Sequence, residues 1–499
     1  MKPPLPREPI ADRSTPIDMS ADAFRAAGHA LVDQVATWLD RVRDVPLLRD
    51  ESVATVRTAL RAESSLPDSG ADPGELLDEA AALLFQHSVF NGHPRFFGYI
   101  TSSPAPIGAL ADLLASAVNQ NVGAWRLSPL ATEIEVQTVR WIAEFIGFPT
   151  DAGGLLVSGG NMANFVGFLA ARTAAAPALR AAGLRGLPGS PRVYASTEVH
   201  TWLHKAADLF GLGTDAIRWI PVDSQQRIDL TALDAQLTAD RSAGDVPFLV
   251  VGTAGSVSTG AVDPLAEIAA ICRHHQVWFH VDGAYGAVAA RVPGSPSSLL
   301  ALSEADSVAV DPHKWLYAPL EAGCTLVRRR NDLLQAFSYH PAYYQFDPEA
   351  TNYFDLGPQN SRGFRALKVW LALRQVGFPG YVQMIGDDMR LARHLHSRVQ
   401  QHPDFEAFTQ HLSVTTFRYA PSDLKAAGSS DREEYLQRLN QQLLARVERS
   451  GDAFLSSAMV NGRFALRACI VNFRTTAADI EALVGLLERL GREARRELV

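Results

Sequence analysis

Between residues 18 and 43 apolar side chains recur at helical spacing: Phe24, Leu31, Val35, Trp38 and Val42 are separated by seven, four, three and four positions. That period puts them on one face of an amphipathic helix, and Ser20 stands where an N-cap is needed. The stretch 64–74, SSLPDSGADPG, has no apolar period and has the composition of a linker. A second helix is expected over 75–86. Two helices and a linker bury little by themselves, so this segment is expected to pack on a neighbouring domain or on a second subunit.

From about residue 105 to 380 the pattern changes. Short, β-rich apolar runs at 192–196, 248–252, 277–281, 307–310 and 324–327 are separated by longer helix-like stretches. This alternation predicts an α/β domain with a mainly parallel sheet. The remainder mixes helices (381–401, 433–450, 478–496) with strand-like runs (412–419, 464–473), which predicts an α+β cap. The expected division is an N-terminal helical dimerisation segment over 1–104, a large domain over 105–380 and a small domain over 381–499. The Ala/Arg/Gly-rich 174–188 is expected to be a surface loop.

Composition narrows the function classes. The 499 residues are 47% hydrophobic and 20% charged, ordinary for a globular enzyme. The net charge of -8 comes with both signs dispersed and no Lys/Arg block, so nucleic acid is not an expected partner. No apolar run is long enough to span a bilayer, and the first dozen residues lack a secretory signal's apolar core, so no membrane association is expected. Cys272, Cys324 and Cys469 are far apart and without CxxC spacing. They argue against a disulfide framework or a zinc site, leave no metal expected, and fit a reducing cytoplasm.

Four segments carry candidate chemistry. In SVAVDPHKWLYAPLEAG (307–323) an apolar strand meets Asp311-Pro312, and Pro312 stops it, presenting Lys314 at a strand end among apolar neighbours. Such a site favours the uncharged amine that a Schiff base requires; a lysine after a strand is also commonly a solvated surface residue. In VWFHVDGAYGA (277–287) Asp282 ends a strand and is followed by small residues. A carboxylate there can hold a proton on a cationic ring nitrogen, and small residues let a flat ring approach; it can equally cap a turn. In LLVSGGNMANFVGFLAAR (155–172) a Gly pair opens a helix whose free N–H groups suit a phosphate, with Asn161 as a further donor, or else forms only a tight turn. In VYASTEVHTWLHKAADLFGLG (193–213) His200 stands between strand and helix, where an imidazole can stack on a planar ring or serve structure alone.

The order of these segments, together with HPRFFGYI (93–100), SPLATEIE (128–135), SGGNMAN (158–164), HVDGAYG (280–286), DPHKW (311–315) and FRALKVW (364–370), resembles the group II decarboxylases that depend on pyridoxal 5'-phosphate (PLP). This family includes aromatic-L-amino-acid, histidine and glutamate decarboxylases, and the resemblance runs from about residue 18 to the C-terminus. It implies the type I PLP-dependent transferase fold, with a mainly parallel seven-stranded sheet, and a homodimer. It implies Lys314 as the Schiff-base lysine, Asp282 as partner of the pyridine nitrogen, Ala284 beneath the ring and His200 stacked on it. Gly160, Asn161 and Asp311 fall at phosphate-side positions, and Asn161 replaces a frequent Ser. Ser256 and Val257 stand where many members have two threonines.

The substrate side is implied in the same way. His313 matches a histidine near the substrate, and Arg467 resembles an arginine that some members use for the substrate carboxylate; it can also be an ordinary structural arginine. Tyr99, Ile100, Ser102 and Ser361 fall at substrate-side positions. Ile100 replaces a Phe of the animal aromatic decarboxylases, and Ser361 is on the histidine side of a family difference. Phe96, Phe97, Tyr99 and Trp125 are the expected aromatic wall of the pocket, and an aromatic L-amino acid is the expected substrate. Histidine or glutamate-like substrates, or oxidative decarboxylation to an aldehyde, are the alternatives. The segment 337–363 is expected to be a lid whose Tyr343, with Tyr344 beside it, donates the proton to the substrate carbon.

Overall fold

The computed structural model describes residues 15–339, 349–424 and 430–498, and the chain divides into two compact units, the first ending at Phe90 and the second running over Asn91–Val499. The first holds α1 (Ala21–Arg41), α2 (Val53–Leu60) and α3 (Pro73–His87). Ser20 caps α1 as expected, its hydroxyl accepting from Ala23 N at 3.1 Å. Asp72 caps α3 by accepting from Gly74 N and Glu75 N, with Pro73 at the first helical position. Trp38 stacks on Phe85, ring centroids 5.5 Å apart and 6° from parallel. The eight-residue α2 was not expected: Val53, Val56 and Leu60 recur at helical spacing, but over only two turns. Helix α1 buries no residue fully, and Phe24, Val53, Leu60 and Leu84 are exposed.

The second unit begins with α4 (Pro106–Val118) and α5 (Pro129–Ile146) and continues through β1 (Gly153–Val157), α6 (Gly160–Ala175), α7 (Leu179–Ala182), β2 (Pro191–Ser196), α8 (Trp202–Leu209), β3 (Ile217–Ile220), α9 (Leu230–Ser242), β4 (Val246–Thr253), α10 (Leu265–His275), β5 (Trp278–Asp282), β6 (Ser307–Val310), β7 (Gly323–Val327) and α11 (Arg330–Phe337). The strands form one seven-stranded sheet in the order β1-β7-β6-β5-β4-β2-β3. Only β7 runs against its neighbours; the rest are parallel, as the alternation predicts. The C-terminal ends of β1, β2, β4, β5 and β6 therefore lie along one edge, the edge where open α/β sheets bind ligands. Strands β1 and β3 were not anticipated, because GGLLV opens on two glycines and IRWI is a four-residue sheet edge. The expected surface loop at 174–188 contains α7 and a 3-10 turn over Gly183–Gly186.

A buried ion pair holds the β1 side of this sheet. Glu135 on α5 accepts from Arg362 Nη2 at 2.5 Å and from Leu156 N at 2.9 Å, while Arg362 also donates to the carbonyls of Val122 and Leu156. The motifs SPLATEIE and FRALKVW thus meet through neighbouring residues. Helix α12 (Ala366–Gln401) is bent at Gly377, whose φ of 68° requires glycine. Beyond it β8 (Phe405–His411), β9 (Val414–Tyr419), α13 (Ser430–Ser450), β10 (Ser456–Val460), β11 (Arg463–Cys469) and α14 (Ala477–Leu498) build a four-stranded antiparallel sheet, order β10-β11-β9-β8, with its own apolar core. Among the described residues no helix is long and apolar enough to cross a membrane.

Candidate active site

A cavity of about 670 Å3 opens at the C-terminal edge of the large sheet. It is lined by Gly160 and Asn161 at the start of α6, His200 before α8, Thr253 at the end of β4, Asp282 at the end of β5 with Ala284 just beyond, and Asp311, His313 and Lys314 after β6. Five strand ends or strand-to-helix turns contribute, so residues up to 154 positions apart (160 to 314) converge through topology alone.

The lysine is held by its own turn. Lys314 Nζ lies 3.0 Å from Asp311 Oδ2, and His313 Nε2 lies 3.7 Å from the same oxygen. Burial lowers the pKa of His313, and its Nδ1 rests 2.7 Å from the Ala322 carbonyl. Ser102 is buried outside the cavity lining and donates to the His313 carbonyl at 2.9 Å. Gly160 has no room for a side chain: a Cβ would stand 2.6 Å from Asp311 Oδ2 and 3.4 Å from the Ala284 methyl. The other small residues serve chain packing, since a Cβ on Gly283 would meet Ala287 and one on Gly286 would meet the Ala254 carbonyl.

Asp282 accepts from Trp202 Nε1 at 2.8 Å through Oδ2 and from Ala284 N at 3.2 Å through Oδ1. The backbone N–H of Trp202 donates to His200 Nδ1 at 3.3 Å. Desolvation on the cavity side lowers the His200 pKa although the residue stands at the solvent-open mouth. With Nδ1 accepting, the neutral ring carries its proton on Nε2.

Several expected residues lie elsewhere. Ser256 is buried with its hydroxyl 3.0 Å from Thr259, and its neighbour Val257 lines the cavity instead. Ile100 lines the cavity, but the Tyr99 ring is 62% exposed and Ser361 is exposed away from the lining. The expected aromatic wall is not one in the single chain: Phe96 stacks on Phe454, Phe97 belongs to the C-terminal core, and Trp125 donates to Glu133. Arg467 is fully buried and gives Nη1 to the Tyr99 carbonyl and Ser456, while its Nε and Nη2 have no hydrogen-bond partner among the described residues. Tyr343 and Tyr344 lie outside the described residues, and the later part of the expected lid is packed, with Asn352, Tyr353, Asp355 and Leu356 buried. Trp202, Thr253, Met162, Asn164 and Tyr285 had no role assigned from the sequence, although Met162 and Asn164 fall in SGGNMAN, Tyr285 in HVDGAYG and Trp202 in the segment 193–213; Met162, Asn164, Tyr285 and Thr253 line the cavity.

Residues 58–420 match the pyridoxal-dependent decarboxylase conserved domain. The chain belongs to that family. It is 32% identical over 483 residues to an aromatic-L-amino-acid decarboxylase of Bacillus atrophaeus, covering 96% of this chain and 97% of that protein. It is 28% identical over 465 residues to a phenylacetaldehyde synthase of Arabidopsis thaliana, covering 91% and 92%. The fold is similar to that of Oryza sativa TDC solved with PLP and tryptamine, with a TM-score of 0.88, 28% identity and coverage of 96% and 99%. This decarboxylase therefore has the type I PLP fold, uses PLP and acts on an amino acid as a carboxy-lyase.

The residues of the cavity fit that cofactor. The Thr253 hydroxyl and Asp311 Oδ1 are buried and lack a hydrogen-bond partner among the described residues, and both residues face the cavity. The 16-residue α6 begins at Gly160 without a side-chain cap, leaving backbone N–H groups for an anion. Asp282 supplies a buried carboxylate, and Lys314 an amine, in the same space.

Proposed function

We propose that this enzyme decarboxylates an aromatic L-amino acid to its amine, with Lys314 as the cofactor's attachment residue. The observation that carries the reading is the convergence of Lys314, Asp282, His200 and the open start of α6 on one cavity. When bound, PLP supplies a cationic ring that accepts the electron pair left by the departing carboxylate. Asp282 would hold a proton on the ring nitrogen, and His200 and Ala284 would hold the ring. Gly160, Asn161 and the α6 amides bind the phosphate, with Thr253 as a further donor. Asp311, 3.0 Å from Lys314 Nζ, holds the amine in place.

Arg467 receives the substrate carboxylate in this reading; it is buried and does not line the cavity in the single chain, and the support is that its Nε and Nη2 have no partner among the described residues. His313 lines the cavity beside Lys314, and Tyr343 would deliver the proton to the substrate carbon once CO2 has left. An aromatic side chain is supported by the decarboxylase relatives and by the apolar Ile100, Met162, Val257 and Leu320 around the cavity. The phenylacetaldehyde synthase relative favours a second reading, oxidative decarboxylation to an aldehyde.

The working form is a homodimer. Leu110, Leu113, Leu114 and Val118 lie on one face of α4 at more than half exposure, and the helices of the first unit also expose apolar residues. A cytoplasmic location is supported by three buried, unpaired cysteines. Incubating the holoenzyme with a panel of L-amino acids while measuring CO2, amine, aldehyde and peroxide together tests the reading. Equal CO2 and amine from an aromatic substrate is the expected result. Matching aldehyde and peroxide would replace it with the second reading, and turnover confined to non-aromatic substrates would refute the substrate class.

A further inference from the structure

Trp202 contacts both residues that flank the cofactor space, although it does not line that space itself. Its backbone N–H orients His200 and its indole N–H donates to Asp282 Oδ2 at 2.8 Å. The side chain is completely buried, so the indole has no alternative acceptor in water. An indole N–H donates and never accepts. The Asp282 oxygen facing it must therefore be a lone-pair acceptor, and a proton on the carboxylate would have to sit on the other oxygen.

The indole is itself fixed from behind. Its ring meets His280 edge to face at 5.8 Å. His280 is fully buried, burial pushes its pKa down to about 4, and the ring is neutral. Trp278 Nε1 donates to Ser307 Oγ at 2.8 Å, Ser307 Oγ lies 2.7 Å from His280 Nδ1, and His280 Nε2 lies 2.7 Å from Asn164 Oδ1. Because the amide oxygen of Asn164 only accepts, Nε2 carries the proton and Ser307 donates to Nδ1. Every member of this chain has one consistent proton placement, which leaves the His280 ring a fixed wall for Trp202.

We propose that Trp202 is a positioning residue for decarboxylation: its indole N–H keeps Asp282 an ionised acceptor and so keeps the shared proton on the cofactor's ring nitrogen. This rests on the reading of Asp282 as that nitrogen's partner. A hydrogen bond to a carboxylate favours its charged form. With the N–H removed, the buried carboxylate competes better for the proton it shares with the ring, and the ring becomes a weaker electron acceptor.

The test reconstitutes the enzyme with PLP labelled with 15N in the pyridine ring and reads the nitrogen's protonation from its chemical shift, alongside kcat and KM. Two variants are used: Trp202→Phe, and Trp202 replaced by benzothienylalanine, which keeps the bicyclic shape and lacks the N–H. Both leave the backbone donor to His200 in place, and the second decides the matter if the first fails to fold. The expected result is a 15N signal displaced toward the unprotonated position and kcat lowered on the order of tenfold, the size of one lost charge-assisted hydrogen bond, with KM changed less than twofold. A wild-type 15N signal in a folded benzothienylalanine variant overturns the proposal, even if stability or cofactor occupancy falls. Asp282→Asn separates the two layers. If it shows the wild-type signal, the reading of Asp282 has failed and this inference with it; if it loses the signal while the Trp202 variants keep it, only the inference has failed.

Discussion

Replacing Asp388 by Asn changes how stability depends on pH, in a direction and a window that the structure defines. Asp388, on α12, is 2% exposed, and its Oδ2 accepts from Trp315 Nε1 at 2.8 Å and from Tyr317 OH at 2.7 Å. Both donors follow Lys314 within three residues, so this carboxylate anchors the turn that presents the lysine. Burial raises its pKa to about 7, against the opposing pull of Tyr317, Trp315 and the backbone N–H of Asn472. The folded-state value is thus above the unfolded one, near 3.8. Between those values the folded chain binds a proton that the unfolded chain does not, so stability falls as pH rises through the window and levels off above about 7. At ~1.4 kcal/mol per unit, and with the group half titrated at pH 7, the loss between pH 5 and 7 is about 2 kcal/mol. Asn keeps an oxygen acceptor for both donors and cannot ionise. Whatever constant offset the lost acceptor for Asn472 N–H brings, Asp388→Asn is therefore expected to gain roughly 2–3 kcal/mol on the wild type between pH 5 and pH 8. Denaturant midpoints of both proteins, measured at pH 5, 6, 7 and 8 with PLP saturating, read this difference. A wild-type minus variant difference that does not change with pH would refute the buried, proton-binding state of Asp388.

Asp282→Ala is expected to lower kcat far more than Asn161→Ala, because the first removes the ring nitrogen's partner and the second one of several phosphate donors; the reverse ranking in steady-state assays would exchange their roles. Arg362→Met leaves Glu135 buried without its cation and is expected to destabilise the protein by about 3–5 kcal/mol, read as a drop in the denaturant midpoint; a change below about 1 kcal/mol would mean that water or another group reaches Glu135. Tyr343→Phe is expected to suppress amine formation while CO2 release continues with aldehyde and peroxide. Unchanged amine there, with a large loss in Tyr344→Phe, would assign the proton to the neighbour.

The residues that the sequence marks most clearly are those whose signal is local. Asp282 ends an apolar strand, Lys314 follows one by four residues across a proline, and Gly160 belongs to a Gly pair that opens a helix; all three line the cavity. The parallel sheet is legible for the same reason, since its central strands are continuous apolar runs. The edge strands β8 and β10 of the small sheet are not, although their partners β9 and β11 match the expected runs: β10 alternates half-buried and exposed positions, and its pattern resembles a loop.

What stays hidden depends on distance in sequence. Trp202 reads as an apolar helix residue, and nothing nearby announces that its N–H meets a carboxylate 80 positions later. The aromatic wall expected from Phe96, Phe97, Tyr99 and Trp125 does not form within the single chain, because these side chains are divided among separate packing environments. The unpaired nitrogens of Arg467 likewise depend on what β10 and the Tyr99 turn do not provide.

The central claim is that Lys314 carries the cofactor, and reductive trapping tests it most directly. Holoenzyme treated with sodium borohydride, digested and mapped by mass spectrometry is predicted to carry the pyridoxyl group on Lys314, with loss of the visible absorption band and of activity, and Lys314→Ala is predicted to form no trapped product and no CO2. A pyridoxyl label on another lysine, or decarboxylation by Lys314→Ala at the wild-type rate, would contradict the account.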